Sequence, residues 1–152
     1  MAPANRYAYY LTPTGFAEKG RLTAEFLRQS FYLVRAARQE YGDILAGCIS
    51  RGWTRVVLWG ASEVGEMAVL AALDHSIEIL GFIDEHATAA RYAGLPVMGT
   101  ADDFPTAEAV IITDLQAPQA TFDLAEARMG RDRVFAPRFL GISVRPDAED
   151  CP

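Results

Sequence analysis

The sequence has few of the residues that most often carry catalysis or bind metals. Its 152 residues include one lysine, Lys19, two histidines and two cysteines. Cys48 and Cys151 lie too far apart to form a metal-binding spacing or a disulfide framework, which is typical of proteins of the reducing cytoplasm. The longest strongly apolar runs, such as 55–59 and 109–113, are strand-length and fall short of the roughly 20 residues of a membrane span. We therefore expect no disulfide scaffold, no zinc module and no membrane-spanning helix.

The N-terminus and the charge distribution indicate where the protein is located and whether it binds nucleic acid. Residues 1–6 carry no charged leader followed by an apolar segment, so a cytoplasmic location is expected. The net charge of −6 is uneven, because residues 1–41 hold six basic and three acidic side chains, a sum of +3, which leaves −9 for the remainder. The acidic part repels nucleic acid, and only the basic N-terminal arm leaves such binding open.

The first forty residues predict a strand followed by one long helix. The aromatic run at 7–11 is typical of a short strand, and Thr12 followed by Pro13 marks a helix start with Thr12 as the N-cap. From Pro13 to Tyr41 apolar residues recur in steps of three and four, which indicates a continuous helix. At about 1.5 Å per residue this helix would be roughly 43 Å long.

Such a helix is longer than a small α/β domain needs for its own packing. The apolar side chains at 26–34 spread over more than one face, so the helix must pack against more than one neighbour. The economical interpretation is a homodimer formed through this helix. Gly42 and Gly47 are expected to interrupt it, and Gly52 to close its last turn from the C′ position.

Beyond residue 53 the pattern alternates strands and helices with short connections. Uninterrupted apolar strands of this kind are typical of a parallel sheet covered by helices on both faces. The predicted fold class is therefore α/β, a Rossmann-like parallel sheet with flanking helices, preceded by the long N-terminal helix. The predicted domains are 1–52, 53–144 and a polar, disordered tail at 145–152. Strands are predicted at 56–59, 78–83, 109–113 and 133–136, a short extended segment at 95–98, and helices at 64–73 and 118–129.

A glycine loop joins the first of these strands to its helix. Gly60 allows a tight turn, Gly65 lets the helix pack closely on the strand, and the helix N-terminus offers free N–H groups to a phosphate. Ser62 stands where a dinucleotide-binding loop has its middle glycine. Its side chain crowds a pyrophosphate, although its hydroxyl can donate to a phosphate oxygen. A purely structural turn in a fold that has lost its ligand is the alternative.

Acidic residues follow the second strand at the distance expected for ribose recognition. Asp84 lies 24 residues after Gly60, close to the spacing at which Rossmann domains bind ribose hydroxyls. Glu85 follows, and no adjacent arginine is present to accept a 2′-phosphate, which disfavours NADP. Strand-end carboxylates are also common as solvated residues. The candidate nucleotide-binding positions are Gly60, Ala61, Ser62, Val64, Gly65, Asp84, Glu85 and Thr113.

No catalytic or metal-binding constellation accompanies these positions. The single lysine has no tyrosine four positions before it, so the Tyr-x-x-x-Lys pair of short-chain sugar epimerases is absent. His75 follows a helix, and His86 is interpreted as a solvated loop residue rather than a ligand contact. Asp102 and Asp103 precede Phe104 as a helix-start signal. We expect no catalytic residues and no metal site.

Two parts of the chain resemble known families. The motifs at 60–65, 80–85 (Leu-Gly-Phe-Ile-Asp-Glu), 94–99 (Gly-Leu-Pro-Val-Met-Gly) and 109–113 are similar to Rossmann-like domains of bacterial polysaccharide-synthesis epimerase/dehydratases and of sugar acyltransferases. This resemblance implies binding of a UDP-sugar or NAD at Gly60, Ser62, Gly65 and Asp84. Residues 10–23 (Tyr-Leu-Thr-Pro-Thr-Gly-Phe-Ala-Glu-Lys-Gly-Arg-Leu-Thr) look like the wing end and dimerisation helix of MarR-type regulators of exopolysaccharide operons. That likeness implies a dimer without direct DNA reading, because no recognition helix is present.

The sequence thus predicts a non-catalytic, dimeric module that binds NAD or a UDP-sugar and regulates bacterial polysaccharide biosynthesis. One alternative is a small NAD-dependent sugar-nucleotide oxidoreductase, or a subunit of one. Another is a degenerate Rossmann scaffold that acts through protein contacts.

Overall fold

The computed structural model describes the backbone of residues 13–144 and the side chains of residues 20–144. The predicted strand at 7–11, the Thr12 cap and the tail from 145 onward lie outside these residues. The chain divides into two compact units, residues 1–35 and 36–152. The helices are α1 (Pro13–Ser50), α2 (Glu63–Ala72) and α3 (Pro118–Met129). The strands are β1 (Arg55–Trp59), β2 (Glu78–Ile83), β3 (Arg91–Tyr92), β4 (Leu95–Met98), β5 (Ala109–Ile112) and β6 (Val134–Phe135).

The second unit is built on one mixed sheet with the strand order β3-β4-β2-β1-β5-β6. Every neighbouring pair is parallel except β3 with β4. The central strands β1 and β5 are almost wholly buried, because helices cover both faces of the sheet. The α/β class is therefore confirmed.

The alternation of side chains along the central strands creates a separate core on each face. Val56 and Leu58 of β1 point to one face, where they pack with residues of α1 and α2 such as Leu45 and Ala68. Val57 points to the opposite face and joins the core that contains Phe122 of α3. Successive residues of a strand point to opposite sides, so a buried strand supplies both cores at once.

The C-terminal part of α1 is anchored in the first of these cores. Tyr41, Leu45 and Cys48 have no exposed surface. The phenol of Tyr41 donates a hydrogen bond of 3.1 Å to the carbonyl of Ile112, at the end of β5, and its ring meets Phe139 edge-on. This part of the helix is thus bound to the sheet by apolar burial and by a buried hydrogen bond.

The predicted interruption of α1 at Gly42 and Gly47 is wrong. The helix continues unbroken to Ser50 and closes as expected through Gly52, whose φ is +81°. Glycine in a helix interior costs only about 1 kcal/mol relative to alanine. Burial of several large side chains between Tyr41 and Cys48 outweighs that cost, because each contributes about 1.5–3 kcal/mol.

A second correction concerns the sheet, which is mixed rather than wholly parallel. A two-residue turn reverses the chain between β3 and β4, and both of its residues have positive φ, 50° at Ala93 and 79° at Gly94. Such mirror-image turns match the twist of a hairpin. Another difference lies nearby, where Asp102 and Asp103 belong to a short 3₁₀ turn that ends before Phe104 instead of starting a helix there.

The first unit is represented by the N-terminal part of α1. The described side chains at residues 20–35 are exposed, apart from a half-buried Ser30. Seven large apolar side chains are therefore open to solvent along about four turns of helix. They are Leu22, Phe26, Leu27, Phe31, Tyr32, Leu33 and Val34.

Burial of Cys48 predicts a loss of stability at alkaline pH. Desolvation raises the pKa of the thiol from its ordinary 9.0 to about 11, against a smaller lowering by Arg51. The folded protein therefore holds this proton more tightly than the unfolded chain. The resulting stability is complete below pH 9 and lost as the pH rises towards 11, by about 2–3 kcal/mol.

Urea unfolding at pH 7, 9, 10 and 11 would measure this loss, with a Cys48→Ala variant as the control. The parent protein should lose about 2 kcal/mol more than the variant between pH 9 and pH 11. Equal losses in both proteins would show that this thiol proton does not contribute.

Candidate functional site

A cavity of about 890 Å³ opens at the carboxyl ends of β1, β2 and β5. The chain order reverses at this place, because β2 and β4 lie on one side of β1 while β5 and β6 lie on the other. In open α/β sheets, ligands bind in the crevice at such a reversal, outside the carboxyl ends of the strands. The cavity is therefore the candidate functional site.

The two glycines of the predicted loop are both required by close packing. Gly60 has a φ of +116°, and a Cβ placed on it would lie 2.5 Å from the backbone N and Cα of Asp114. A Cβ on Gly65 would lie 2.6 Å from the ring of Phe82 in β2. The tight turn and the close approach of helix to strand are thus as predicted, and both follow from the protein's own packing.

Hydroxyl groups tie this loop to the end of β5. Ser62 caps α2, since its Oγ accepts a hydrogen bond of 3.3 Å from the N–H of Gly65. The same hydroxyl donates to the carbonyl of Thr113 at 2.5 Å, and the hydroxyl of Thr113 donates to the carbonyl of Gly60 at 2.5 Å. The Ser62 hydroxyl, which the sequence analysis considered as a donor to a phosphate, thus donates to the carbonyl of Thr113 instead. It could donate to a phosphate only if that hydrogen bond broke.

Asp84 lies beside the same loop and braces it. Its Oδ2 accepts a hydrogen bond from the N–H of Ala61 at 3.0 Å, and its Oδ1 accepts one from the N–H of His86 at 3.0 Å. Each oxygen of an ionised carboxylate has about two acceptor positions, so Asp84 retains capacity for a ligand hydroxyl. Asp84 therefore lies in the lining of the cavity, next to the glycine loop from which its spacing was counted.

Asp114 is a site residue that the sequence patterns alone did not reveal. It follows β5 and Thr113 directly, and its carboxylate holds the turn before α3 by accepting from the N–H groups of Gln116 (3.0 Å) and Ala117 (3.3 Å). It also accepts the hydroxyl of Thr121 at 2.6 Å. Its position at the end of a central apolar strand is the sequence signal that could have revealed it.

The structure brings most of the predicted binding positions together. Five of the eight predicted positions line the cavity, namely Gly60, Ala61, Ser62, Asp84 and Glu85. Val64, Gly65 and Thr113 are not part of its lining, because Val64 packs against the core, Gly65 lies beneath Phe82 and Thr113 is fully buried. Gly65 and Thr113 contribute indirectly, because their contacts set the conformation of the loop.

The lining is acidic on one side and apolar on another. The lining includes four carboxylate side chains and one guanidinium group, that of Arg128, which pairs with Asp102 at 3.1 Å. The carboxylates belong to Glu63, Asp84, Glu85 and Asp114. An apolar wall is formed by Leu115 and by the start of α3, with Ala117, Ala120 and Leu124.

Tyr92 adds an aromatic side chain to the acidic side. Its ring packs edge-on against Phe82, with 5.3 Å between the ring centroids. Partial burial, the charges of Glu66 and Glu63, and a hydrogen bond to Glu66 raise the pKa of the phenol. At neutral pH the phenol is protonated, so this wall presents neutral hydroxyl and aromatic surface beside carboxylates.

The part of the chain that the structure describes contains neither a metal-binding cluster nor a membrane-spanning helix. Within 20–144 no cluster of three or more His, Cys, Asp or Glu side chains is placed to hold a metal ion. None of the described helices is long and apolar enough to cross a membrane. Comparison of the chain with protein-family models, with curated proteins and with solved structures finds no match.

The contact between Gly65 and Phe82 predicts opposite effects for two glycine substitutions. Gly65→Ala forces the Phe82 ring to move and should destabilise the protein by about 1–3 kcal/mol. Gly47→Ala is the matched control, since a Cβ there meets no atom within 4 Å. The control should stabilise the helix by up to about 1 kcal/mol. Urea unfolding measures both values, and a neutral Gly65→Ala would contradict the packing role.

Proposed function

We propose that this protein is a non-catalytic binding module for a nucleotide-type ligand, NAD or a UDP-sugar, held in the cavity at the strand ends. The observation that carries the proposal is an open cavity of about 890 Å³ at the reversal of strand order, large enough for a dinucleotide or nucleotide sugar. Side chains do not fill it, as they would in a scaffold that had lost its ligand.

The strand order supports a Rossmann-like interpretation of the sheet. When the short strand β3 is left out, the spatial order of the parallel strands is β4-β2-β1-β5-β6. Numbered by their place in the sequence, these strands have the order 3-2-1-4-5. This is the order of the first five strands of a dinucleotide-binding Rossmann fold. One departure is the connection from β2 to β4, where the short antiparallel strand β3 stands in place of a crossover helix.

Asp84 and Glu85 are the proposed ribose-binding residues. Both line the cavity beside the glycine loop, and a carboxylate at the end of the second strand is placed to accept the hydroxyls of a ribose. The apolar wall at Leu115 and Leu124 offers a surface for the planar ring of a base or a nicotinamide. The ligand is thus proposed to span from the end of β2 to the end of β5.

We propose binding without turnover because, apart from its carboxylates and Tyr92, the lining offers few side chains that could act in catalysis. No lysine or cysteine is among its described lining residues, and its histidine, His86, is 87% exposed at the side chain. A general base or acid needs a held position and a tuned pKa. A regulatory role in polysaccharide biosynthesis extends the proposal and rests on the sequence resemblances.

One observation favours the alternative of a scaffold acting through protein contacts. The N–H groups of Gly60, Ala61 and Gly65 already bond within the protein, to Ile83, Asp84 and Ser62. A loop satisfied in this way is held by the protein's own bonds and needs no ligand to order it. Direct titration decides between the two functions.

Calorimetric titration with NAD, UDP and UDP-glucose tests the proposal, with a variant that fills the cavity. Ala120 lines the cavity on the exposed surface of α3, so Ala120→Trp should abolish binding while leaving the fold intact. Ala127→Trp is the matched control, because Ala127 is exposed on the same helix and lies outside the lining. Absence of binding by the unmodified protein at millimolar concentration would favour the scaffold.

We propose further that a second copy of the chain covers the exposed apolar part of α1. The seven large apolar side chains between Leu22 and Val34 offer on the order of 700–800 Å² of surface, close to the ~800 Å² that each partner buries in a standard interface. A soluble monomer rarely leaves so large an apolar patch open. The proposal therefore includes a homodimer formed through this helix.

Sedimentation analysis of a double variant tests the dimer. Phe26→Glu with Phe31→Glu places two charges in the apolar patch and should convert a dimer to a monomer, because burying an unpaired carboxylate is costly. Ala46→Glu adds a charge at an exposed position of the same helix, about three turns beyond the patch, and should leave the dimer intact. A monomeric parent protein at micromolar concentration would refute the dimer.

A further inference from the structure

The charge of the cavity bears on which nucleotide-type ligand it accepts, an inference that rests on the proposed function. Phosphate-binding loops offer several free N–H groups at a helix N-terminus, in a region of positive potential. Here the corresponding loop differs in two respects, the use of its donors and the sign of its surroundings.

Most of the donors that would grip a phosphate are used inside the protein. The N–H of Gly60 bonds to the carbonyl of Ile83 at 2.8 Å, that of Ala61 to Asp84 at 3.0 Å, and the hydroxyl of Ser62 to Thr113 at 2.5 Å. Helix geometry leaves the N–H groups of Glu63 and Val64 without helix partners. Glu63 brings its own carboxylate to this end of α2 and competes with any anion for it.

The surrounding charge points the same way. Glu63, Asp84, Glu85 and Asp114 line the cavity, and the guanidinium of Arg128 is already paired with Asp102. Each further negative charge on a ligand is therefore repelled, whereas uncharged hydroxyls can donate to these carboxylates. Neutral ring systems have the wall of Leu115 and Leu124 available.

We propose that the cavity selects nucleoside-type ligands of low negative charge, holding them by their ribose hydroxyls and their ring rather than by their phosphates. Between the two candidate ligands this favours NAD⁺, which has one net negative charge, over a UDP-sugar, which has two. It also favours NAD⁺ over NADH, because reduction removes the positive charge of the nicotinamide ring.

A ladder of ligands that differ only in phosphate charge tests this selection. Calorimetric titration with adenosine, AMP and ADP, and with uridine, UMP and UDP, is carried out at low salt without divalent cations. Affinity in the series that binds should fall at least about threefold with each added phosphate, and the steps should shrink at high salt. NAD⁺ should bind at least about threefold more tightly than NADH.

Removal of one lining charge provides the matched comparison. Glu63→Gln should reduce the loss of affinity with each added phosphate, because AMP or UMP then binds more tightly relative to the nucleoside. Glu78→Gln removes the same charge at the opposite end of the strands, since Glu78 is exposed at the start of β2, and should leave the dependence of affinity on phosphate number unchanged.

The possible outcomes separate the two proposals. Affinity that rises with each phosphate, or NADH bound as tightly as NAD⁺, would overturn the charge selection and leave the nucleotide-binding proposal standing. If none of these compounds binds and UDP-glucose does not bind either, both proposals are removed.

Discussion

The backbone of the loop after β1 lies directly against the backbone that follows β5. Gly60 makes this approach possible, because any Cβ at that position would overlap the N and Cα of Asp114. Once the two segments are this close, the hydroxyls of Ser62 and Thr113 can each reach a carbonyl of the opposite segment. The cap of α2 and the hydrogen bond from Ala61 to Asp84 lie in the same loop, at the mouth of the cavity.

The same contact gives the site its particular chemistry. Loops of this shape usually present free donors to a ligand phosphate. Here the N–H groups of Gly60 and Ala61 bond to the end of β2, and the hydroxyl of Ser62 bonds to the segment after β5. Stability of the loop is gained in this way, and attraction for anions is reduced. A cavity that stays open, carries carboxylates and has an apolar wall is suited to hydroxyl groups and planar rings.

Much of the fold could be predicted from the sequence, because its signals are local. The strand Glu78–Ile83 and the helix Pro118–Met129 have the bounds that their patterns indicated. The unbroken α1 and the hairpin at Ala93 could not be predicted in the same way. Burial around Tyr41 outweighs the local effect of two glycines, and a positive φ at an alanine has no clear signal in composition.

The residues around the candidate site could be predicted from the sequence more readily than the hydrogen bonds between them. The glycine loop and Asp84 were located by spacing alone. The bond from Ser62 to Thr113 joins residues 51 positions apart, so it depends on the sheet having brought β1 beside β5. Asp114 and the acidic character of the cavity depend on the same tertiary arrangement.

The two outermost strands of the sheet have a consequence for how copies of this chain can associate. β3 and β6 contain two residues each, and β3 begins with a charged, exposed Arg91. A long, flat edge strand is a template for adding strands from another molecule, and short or charged edges prevent such pairing. Pairing of edge strands between copies is thereby disfavoured. The sheet thus avoids edge-to-edge polymerisation although it is not closed into a barrel.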